Sequence, residues 1–563
     1  MRSDVVRLYK VVHTWTGITA GMLLFIAFYA GAITVFAEPL ARWIATPGLT
    51  RLTPLEQSDE LLDRVLAARP DAGKDLTLYL GETEDVPARL IWKKSRNDKA
   101  PWSAELSSEG ELRMEQLHPA GVAEFVDRIH KTGGLPGDVE IGQTIMGVVA
   151  AVYVVAIISG LIIVLPSLAK DLFALRIGAN LKRMWLDAHN VVGVLSLPFH
   201  IVIALTAVVF GLHDIFYGAL DRVVYDGQLK SVMSAGNPFQ QVGKDPHPAS
   251  MLPVGALVER VRTVSPAFTP IEIRYRNAGL RDATAMVWGH EPSYMTRGNG
   301  FAVLNAATGD ILNTDYLPGG RSAWTATVST FFALHFATFG GDSMRACYFL
   351  LGLAGAFLFY SGNLLWIESR RRTERRAGGP VNQKRSTRLM GAATVGVCLG
   401  AICALSVAIV AGKWLNGHVT EAEAWHEGVF YAVFLACVAW SFARGAALAG
   451  VDLLRLAAVS TAAIPLTTLA AWATTWALPS LGMRPSASLA ALGVDLVALC
   501  GALGFALMAR AAARRSEEGP ADSVWAAPRR QLTYAAAHAA PLDGQPAKQL
   551  INASLSDEVG GNR

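Results

Sequence analysis

Long uncharged apolar runs alternate with polar segments along the chain. A helix of about 20 apolar residues crosses roughly 30 Å of hydrocarbon, and eight runs approach or exceed that length. They lie at about 12–37, 142–165, 189–213, 343–366, 389–412, 424–443, 456–478 and 486–510. The pattern predicts an all-α polytopic membrane protein with about eight spanning helices.

The basic residues predict how these helices are oriented. The stretch IESRRRTERRAGGPVNQKRSTR (367–388) holds eight Lys or Arg against two Glu, and we interpret it as a solvated cytoplasmic loop. Further basic residues lie at Lys170, Arg176, Lys182, Arg183, Arg510, Arg514 and Arg515. With eight spans, all of these lie on the side of the N-terminus, so the positive-inside bias places both termini in the cytoplasm. The first apolar run follows Arg2, Arg7 and Lys10 but is too long for a signal peptide, so we interpret it as a spanning helix.

The amino-acid composition supports a membrane protein and argues against a nucleic-acid-binding or disulfide-rich protein. Hydrophobic residues make up 52% of the 563 positions and charged residues 17%, against about 25% charged in soluble proteins. The net charge of +4 reflects the loop bias and shows no nucleic-acid-binding patch. The five cysteines all fall in or beside predicted spans and lack metal-type spacing, so we expect inert thiols and no disulfide framework: Cys347, Cys398, Cys403, Cys437 and Cys500.

Two long polar segments, about 38–141 and 214–342, have matching patterns. Each begins with an amphipathic helix candidate, TPLEQSDELLDRVLAARP (53–70) or PVGALVERVRTVSP (253–266). Strand-like runs follow, and SSEGEL and AATGDI form corresponding Gly turns in the two segments. We therefore predict two external α+β domains.

The apolar runs repeat as well, so the helix–domain–helix unit is predicted to be an internal duplication. The residues 9–36 resemble 185–212. The division is helix 1 (1–37), external domain 1 (38–141), helix 2 (142–165), a cytoplasmic loop (166–188), helix 3 (189–213), external domain 2 (214–342), helix 4 (343–366), the basic loop (367–388), four further helices (389–510) and a disordered cytoplasmic tail (511–563).

The duplication turns single histidines into pairs. His13 and His189 each open a span on the cytoplasmic side. His130, in IHKTGGLPG (129–137), and His335, in LHFATFGGD (334–342), each precede a span on the external side. Two facing imidazoles suit the axial positions of a haem iron. The predicted cofactor is therefore haem, with one iron held by each pair. Gly17, Gly193 and Gly142 would let a flat ring approach the backbone.

His200 has no counterpart in the first unit. It follows His189 by 11 residues, about 16 Å along a helix on the same face. It replaces a member of the external pair or hydrogen-bonds a neighbour, with Pro198 freeing carbonyls nearby. The remaining histidines are assigned no cofactor role, apart from a weak metal site considered at His418 and His426.

Four stretches resemble the PepSY-associated transmembrane helix family: HTWTGITAGMLLFIAFYAGAITVF, IHKTGGLPG, AHNVVGVLSLPFHIVIALTAVVF and LHFATFGGDSMRACYFLLGLAGAFLFYSGNLLWIESRRR. The external segments resemble PepSY domains, most closely in GFAVLNAATGDIL. The resemblance covers about 1–375 and implies inner-membrane ferric-siderophore reduction, periplasmic PepSY domains and two histidine-ligated haems. His13, His130, His189 and His335 match the family's histidine positions, and His200 matches its additional one.

The function expected from these residues is electron transfer across a bacterial inner membrane to a periplasmic ferric chelate, such as a ferric siderophore. No G-x-G-x-x-G motif follows a strand, which favours a quinol or a separate reductase as electron donor over NAD(P)H. Two alternatives remain open. One is a transporter for iron or a siderophore without redox chemistry, in which Asp452 and Asp495 are the notable intramembrane charges. The other is a periplasmic sensing or binding scaffold.

Overall fold

A computed structural model describes residues 3–44, 52–81, 88–94, 100–117, 121–168, 181–235, 245–291, 294, 300–376, 381, 383–416, 418–419, 421–477 and 488–538. The helices in these ranges are α1 (Ser3–Thr34), α2 (Ala37–Ile44), α3 (Ser58–Ala68), α4 (Val122–Thr132), α5 (Val139–Val164), α6 (Leu181–Leu195), α7 (Leu197–Val223), α8 (Leu229–Ala235), α9 (Val254–Val264), α10 (Ala323–Phe336), α11 (Gly341–Arg376), α12 (Arg385–Leu415), α13 (Ala422–Ala477), α14 (Leu489–Glu518) and α15 (Pro528–His538). The strands are β1 (Leu76–Tyr79), β2 (Leu90–Trp92), β3 (Trp102–Leu106), β4 (Leu112–Gln116), β5 (Thr269–Arg276), β6 (Thr284–His290), β7 (Gly300–Asn305) and β8 (Ile311–Asn313).

Seven helices among the described residues are long and apolar enough to cross a membrane: α1, α5, α7, α11, α12, α13 and α14. Helix α14 carries a row of exposed leucines, including Leu496, Leu503 and Leu507. Exposed apolar rows of this kind suit contact with lipid chains, which cannot hydrogen-bond.

Helix α13 accounts for the difference from the eight predicted spans, because it is broken at Gly445, where φ is 74° and ψ is 158°. This backbone conformation is accessible chiefly to glycine. Before the break, α13 runs antiparallel to α12, so that Ser441 donates to the carbonyl of Ala392 at 2.7 Å. After it, the chain runs parallel to α12, and Ser406 pairs with Thr461 at 3.0 Å. Helix α13 is therefore a hairpin that supplies two of the eight segments.

The helices that carry His13 and His189 begin earlier than the corresponding apolar runs. Helix α1 begins at Ser3 and α6 at Leu181, so His13 and His189 lie inside helices rather than at their ends. The third predicted span is divided between α6 and α7 at Ser196, whose φ is −93° and ψ is 5°. Pro198 lies at the start of α7, where its missing N–H removes no helical hydrogen bond.

Helices α5 and α7 cross at a pair of glycines. A Cβ at Gly147 would lie 2.7 Å from the carbonyl carbon of Gly211, and one at Gly211 would overlap the backbone of Gly147. Small residues at such crossings let helix backbones approach closely within a membrane. Gly147 and Gly211 thus fix how the first two units of the bundle pack together.

The two predicted α+β domains are joined in one antiparallel sheet of eight strands, in the order β4-β3-β2-β1-β5-β6-β7-β8. The join is the pairing of β1 with β5, in which Leu76 lies opposite Tyr275 and Leu78 opposite Ile273. Buried leucine and valine side chains of α3 and α9 pack against the strand residues in one core. The backbone N–H of Val254, at the start of α9, donates to Asp59 of α3 at 2.8 Å.

The first half of this sheet contains a buried carboxylate. Glu105 is 2% exposed and accepts hydrogen bonds from the backbone N–H groups of Thr53 and Arg89 and from the hydroxyl of Thr53. Arg89 is also buried and donates to the carbonyls of Thr53 and Tyr79, both at 2.7 Å. These bonds join the segment before α3 to β2 and β3.

The basic stretch and the C-terminal segment are more ordered than the sequence predicted. Helix α11 continues through Arg376, and Arg371 and Arg375 pair with the buried Asp522 at 3.0 and 2.6 Å. The described part of the predicted disordered tail therefore includes the end of α14, the buried Asp522 and helix α15. Residues 539–563 lie outside the described residues. The prediction of a solvated loop at 367–388 is wrong for the stretch that contains Arg371.

Trp43 is buried, although a tryptophan beside a predicted span is typical of an interfacial aromatic belt. It is 1% exposed, and its Nε1 donates to Asp495 at 2.8 Å and to Thr468 at 2.9 Å. The Nζ of Lys413 lies 4.7 Å from the Trp43 ring centroid and donates to the Trp43 carbonyl. This cluster attaches α2 to the C-terminal helices α12, α13 and α14.

Candidate functional site

Four of the predicted site histidines form two pairs within the helical bundle. His13 of α1 and His189 of α6 have ring centroids 6.3 Å apart, with an angle of 76° between the ring planes. We call these the inner pair. The helices α1 and α6 both enter the bundle from the end opposite the sheet, so the inner pair lies toward that far end.

The outer pair consists of His130 and His335, whose centroids are 6.2 Å apart at an interplanar angle of 42°. Each lies near the C-terminal end of a helix that follows one half of the sheet, α4 or α10. His130 contacts α1 near Ala27 and Gly31. These positions lie 14 and 18 residues beyond His13, which separates the two pairs by roughly 21–27 Å along α1.

Hydrogen bonds determine which ring nitrogen each histidine presents. His13 Nδ1 lies 2.9 Å from the carbonyl oxygen of Ala156, and His130 Nδ1 lies 2.8 Å from that of Ala27. A carbonyl only accepts, so both Nδ1 atoms carry the proton. The neutral ring then has an unprotonated Nε2, which is the atom that can bind a metal.

In His189 and His335, the Nδ1 atom lies next to a hydroxyl group instead of a carbonyl. His189 Nδ1 lies 2.9 Å from Ser361 Oγ, and His335 Nδ1 lies 2.7 Å from Thr206 Oγ1. Each hydroxyl donates to a carbonyl of its own helix, Ser361 to Leu358 and Thr206 to Val202. Because its proton is used there, each hydroxyl accepts from the histidine. All four imidazoles are thus arranged as Nδ1 donors with Nε2 as the potential ligand atom.

The spacing within each pair fits one metal ion between two axial ligands. Metal–imidazole bonds are about 2 Å long, so two rings on opposite sides of one metal have centroids roughly 6–6.5 Å apart. Both observed centroid separations, 6.3 and 6.2 Å, lie in this range. In the described part of the chain, no hydrogen bond occupies the Nε2 atom of any of the four rings. The donor set and the Nδ1 partners therefore fit bis-histidine ligation of haem iron.

His200 belongs to neither pair. Its ring is 2% exposed, and both of its nitrogens are buried without a hydrogen-bond partner among the described residues. It lies among aromatic rings, with centroids 5.4 Å from Phe199, 5.7 Å from Phe28 and 6.1 Å from Tyr153. The expected hydrogen bond to a carbonyl near Pro198 does not form, and its assignment as a cofactor ligand stays a prediction.

The glycines beside the histidines are partly those predicted. A Cβ at Gly17 would meet nothing within 4 Å, and one at Gly193 would meet Leu358 at 3.7 Å. Gly142 instead packs against Thr132, so it shapes the turn between α4 and α5. The glycines that contact ligand rings were missed.

Those glycines are Gly160 and Gly31. A Cβ at Gly160 would lie 2.9 Å from His13, and one at Gly31 would lie 2.7 Å from His130. Both glycines are visible in the sequence, because each lies within an apolar run. The structure adds that a histidine of another helix packs against each of them. Identifying that partner requires the packed helices.

Among the residues that the structure describes, the other histidines share no site. His213 hydrogen-bonds the carbonyl of Phe210 at 2.6 Å, and His247 pairs with Asp245 on the surface. His426 is fully buried and His418 is exposed, so the weak metal site considered there is not formed by these two rings. Within the described ranges, no group of three or more His, Cys, Asp or Glu is arranged to hold a metal ion. His118 lies outside the described residues.

The comparisons with known proteins match the part of the chain that holds both pairs. The model of the family described as PepSY-associated TM region matches residues 11–369, from within α1 to within α11. A comparison with curated proteins found no match for the chain. The match leaves the helices α12–α15 outside it. Because it covers more than half of the chain, this multi-pass membrane protein belongs to the PepSY-associated TM region family.

Proposed function

We propose that this protein is a haem-containing reductase that passes electrons across a bacterial inner membrane to a ferric chelate, such as a ferric siderophore, during iron uptake. The observation that carries the proposal is the geometry of the inner and outer pairs. Each pair joins two Nδ1-protonated imidazoles whose centroids are 6.2 or 6.3 Å apart, which suits one haem iron per pair.

Haem b bound at the two pairs would supply the one-electron chemistry. His13, His189, His130 and His335 would hold the haem iron, and the hydrogen bonds at Nδ1 fix the orientation of their rings. The chain also supplies apolar surroundings, because buried hydrophobic side chains of α1, α5 and α11 pack in one core. His200 is a fifth candidate ligand that could replace a member of the outer pair.

The pairs lie at different depths, which suits passage of electrons along the bundle. The inner pair faces the end with the basic residues of α11 and α14, including Arg370, Arg372 and Arg514. The positive-inside bias assigns that end, and with it both termini, to the cytoplasm. The sheet then lies in the periplasm as two joined PepSY-like halves that arose by internal duplication.

This orientation assigns the substrate to the sheet end. A ferric chelate near the outer pair would take one electron per iron, and hard oxygen donors hold Fe(II) less tightly than Fe(III), so reduction loosens the chelate. The donor at the cytoplasmic end is a membrane quinol or a separate reductase, because the sequence contains no dinucleotide-binding motif after a strand.

The decisive experiment is a reduced-minus-oxidised optical spectrum of the purified full-length protein, with the haem content measured per chain. Two b-type haems are expected. His13→Ala and His130→Ala should each remove one haem, and the double variant should remove both. A wild-type protein without a Soret band, or a double variant with unchanged haem, would overturn the proposal.

The transporter alternative gives a different result in the same preparation. Proteoliposomes that accumulate the ferric chelate without any electron donor would favour transport. Chelate reduction that requires a donor, and that disappears in His130→Ala, favours the reductase.

A further inference from the structure

The two helices that carry the outer pair differ in how they are packed. Helix α4, with His130, has six buried residues among its 11: Val122, Ala123, Phe125, Val126, Ile129 and Thr132. Helix α10, with His335, has two among its 14: Ser329 and Ala333. The helix that carries His130 is therefore more deeply buried than the helix that carries His335.

Much of the additional packing of α4 comes from α1, α2 and α5, and a further part comes from the C-terminal helices, which lie outside the family match. Arg128 of α4 pairs with Glu423 at 3.3 Å and with Glu427 at 3.4 Å, both in the first turns of α13. The hydroxyl of Tyr431 donates to the carbonyl of Gly134, just beyond α4, at 3.3 Å. By contrast, α10 packs mainly against α7 of its own unit.

Apolar contacts complete this interface. The ring of Phe125 lies 5.7 Å from that of Phe430 and 6.0 Å from that of His426. A Cβ at Gly412, near the end of α12, would overlap the side chain of Val122. Helix α4 therefore touches α12 so closely that only glycine fits at this position.

We propose that α12 and α13 act as a brace that fixes α4 and thereby positions His130 at the outer pair. The brace acts on the ligand carried by α4, because the contacts described above reach α4, whereas α10 packs mainly against α7. Helices α12 and α13 then have a defined role in the protein, which is to set the geometry of the outer site. This inference rests on the proposed function, since it treats His130 as a haem ligand, and it makes Gly412 and Tyr431 positioning residues.

The test adds a methyl group, called the wedge below, between α12 and α4 in the full-length protein. Gly412→Ala places a methyl group against Val122 and should displace α4. Gly428→Ala is the matched control, because a Cβ at Gly428 would meet nothing within 4 Å. Adding Val122→Ala to Gly412→Ala removes the overlapping methyl groups and leaves the Val122 Cβ position 3.4 Å away, which should relieve the wedge.

The readouts are the redox titration of each haem and the rate of haem loss to a soluble haem acceptor. His130→Ala identifies the outer-haem signal. Gly412→Ala should shift the midpoint potential of that haem alone. It should also accelerate the loss of that haem about tenfold, as expected when the residues that orient a metal ligand are disturbed. Gly428→Ala should match wild type, and Gly412→Ala with Val122→Ala should return toward it.

The outcomes separate the two proposals. A wild-type protein without haem overturns the proposed function and the brace together. A wild-type protein with two haems, of which neither responds to the wedge, overturns the brace alone. If Gly412→Ala does not fold, Tyr431→Phe and Arg128→Gln remove the polar contacts without a wedge, and an unchanged outer haem in both variants overturns the brace.

Discussion

Ser361 accepts from His189 the same hydrogen bond that the carbonyl of Ala156 accepts from His13. The two acceptors occupy corresponding positions, since each follows the outer histidine of its own unit by 26 residues (130 to 156 and 335 to 361). The acceptors of the outer pair also belong to the histidine's own unit, Ala27 for His130 and Thr206 for His335, although these two do not occupy corresponding positions. Each unit therefore orients its own histidines, while the pairs form between units.

Replacing Ser361 should weaken the inner site selectively. Ser361→Ala leaves the buried Nδ1–H of His189 without its acceptor, which costs about 1–3 kcal/mol. Loss of the hydrogen-bond partner of a metal-binding histidine typically lowers metal affinity 10–100-fold. Haem retention and potentiometry on the purified protein should show a change at the inner haem only.

Thr206→Val is the corresponding change for the outer site and should alter only the outer haem. Ser460→Ala serves as the control, because the Ser460 hydroxyl donates within its own helix to Ala457 at 3.3 Å. Equal effects of Ser361→Ala and Thr206→Val on both haems would contradict the assignment of one acceptor to each pair.

The crossing of α5 and α7 should tolerate no side chain at Gly211. Gly211→Val would force these helices apart because a Cβ there overlaps the backbone of Gly147, and overpacking of this kind costs about 1–3 kcal/mol or more. A lower melting temperature in detergent is the expected result. Gly218→Val, on the same helix at a position with open space, should melt close to wild type, and equal melting of the two variants would argue against the close crossing.

Asp522→Asn should destabilise the far end of the bundle. Burial alone would raise the pKa of Asp522, but hydrogen bonds and charges from Arg375 and Arg371 outweigh it and lower the pKa. Arg371 is 8% exposed at its side chain and keeps Glu368 as a second partner at 2.9 Å, so losing the Asp522 charge should cost about 1.5–3 kcal/mol. The half-exposed Arg375 adds little.

The sign of the pH dependence follows from the lowered pKa of Asp522. The stabilisation is complete above the unfolded-state pKa of about 3.9 and is lost as the pH falls through the lower folded-state pKa. The melting temperature of the wild-type protein should therefore exceed that of Asp522→Asn down to about pH 4, and the difference should disappear only at lower pH. Glu518→Gln, at an exposed position near the end of α14, is the control, and an advantage lost already near neutral pH would contradict the lowered pKa.

Glu105→Ala should loosen the first half of the sheet. The substitution leaves buried N–H groups of Thr53 and Arg89 without an acceptor, at about 1–3 kcal/mol each. Hydrogen exchange on the full-length protein should speed up in β2 and β3. Glu115→Ala, on the exposed strand β4, should leave exchange there unchanged, and similar protection in both variants would show that Glu105 carries no such role.

The sequence predicted local features well where periodicity decides them. The strand runs, the Gly turns at Gly110 and Gly309 and the helices α3 and α9 all lie where the pattern placed them. The residues of the inner and outer pairs were also identified, because a repeat makes corresponding histidines visible in one chain.

What the sequence could not predict depends on contacts between distant segments. The pairing of β1 with β5 joins strands about 200 residues apart, and a strand pattern does not name its neighbour. The acceptors at Ala27 and Ala156 are backbone carbonyls, which carry no residue signal. Trp43 resembled an interfacial tryptophan because its partners Thr468 and Asp495 are more than 400 residues away.

The pairing of β1 with β5 has an evolutionary consequence. In a symmetric homodimer, a twofold axis brings a surface against its own equivalent in the other subunit. Here β1 meets its counterpart β5, and His13 and His130 meet their counterparts His189 and His335. An ancestor with a single helix–domain–helix unit would have had to dimerise to form either site, and gene fusion would have made that partnership permanent while freeing the halves to diverge.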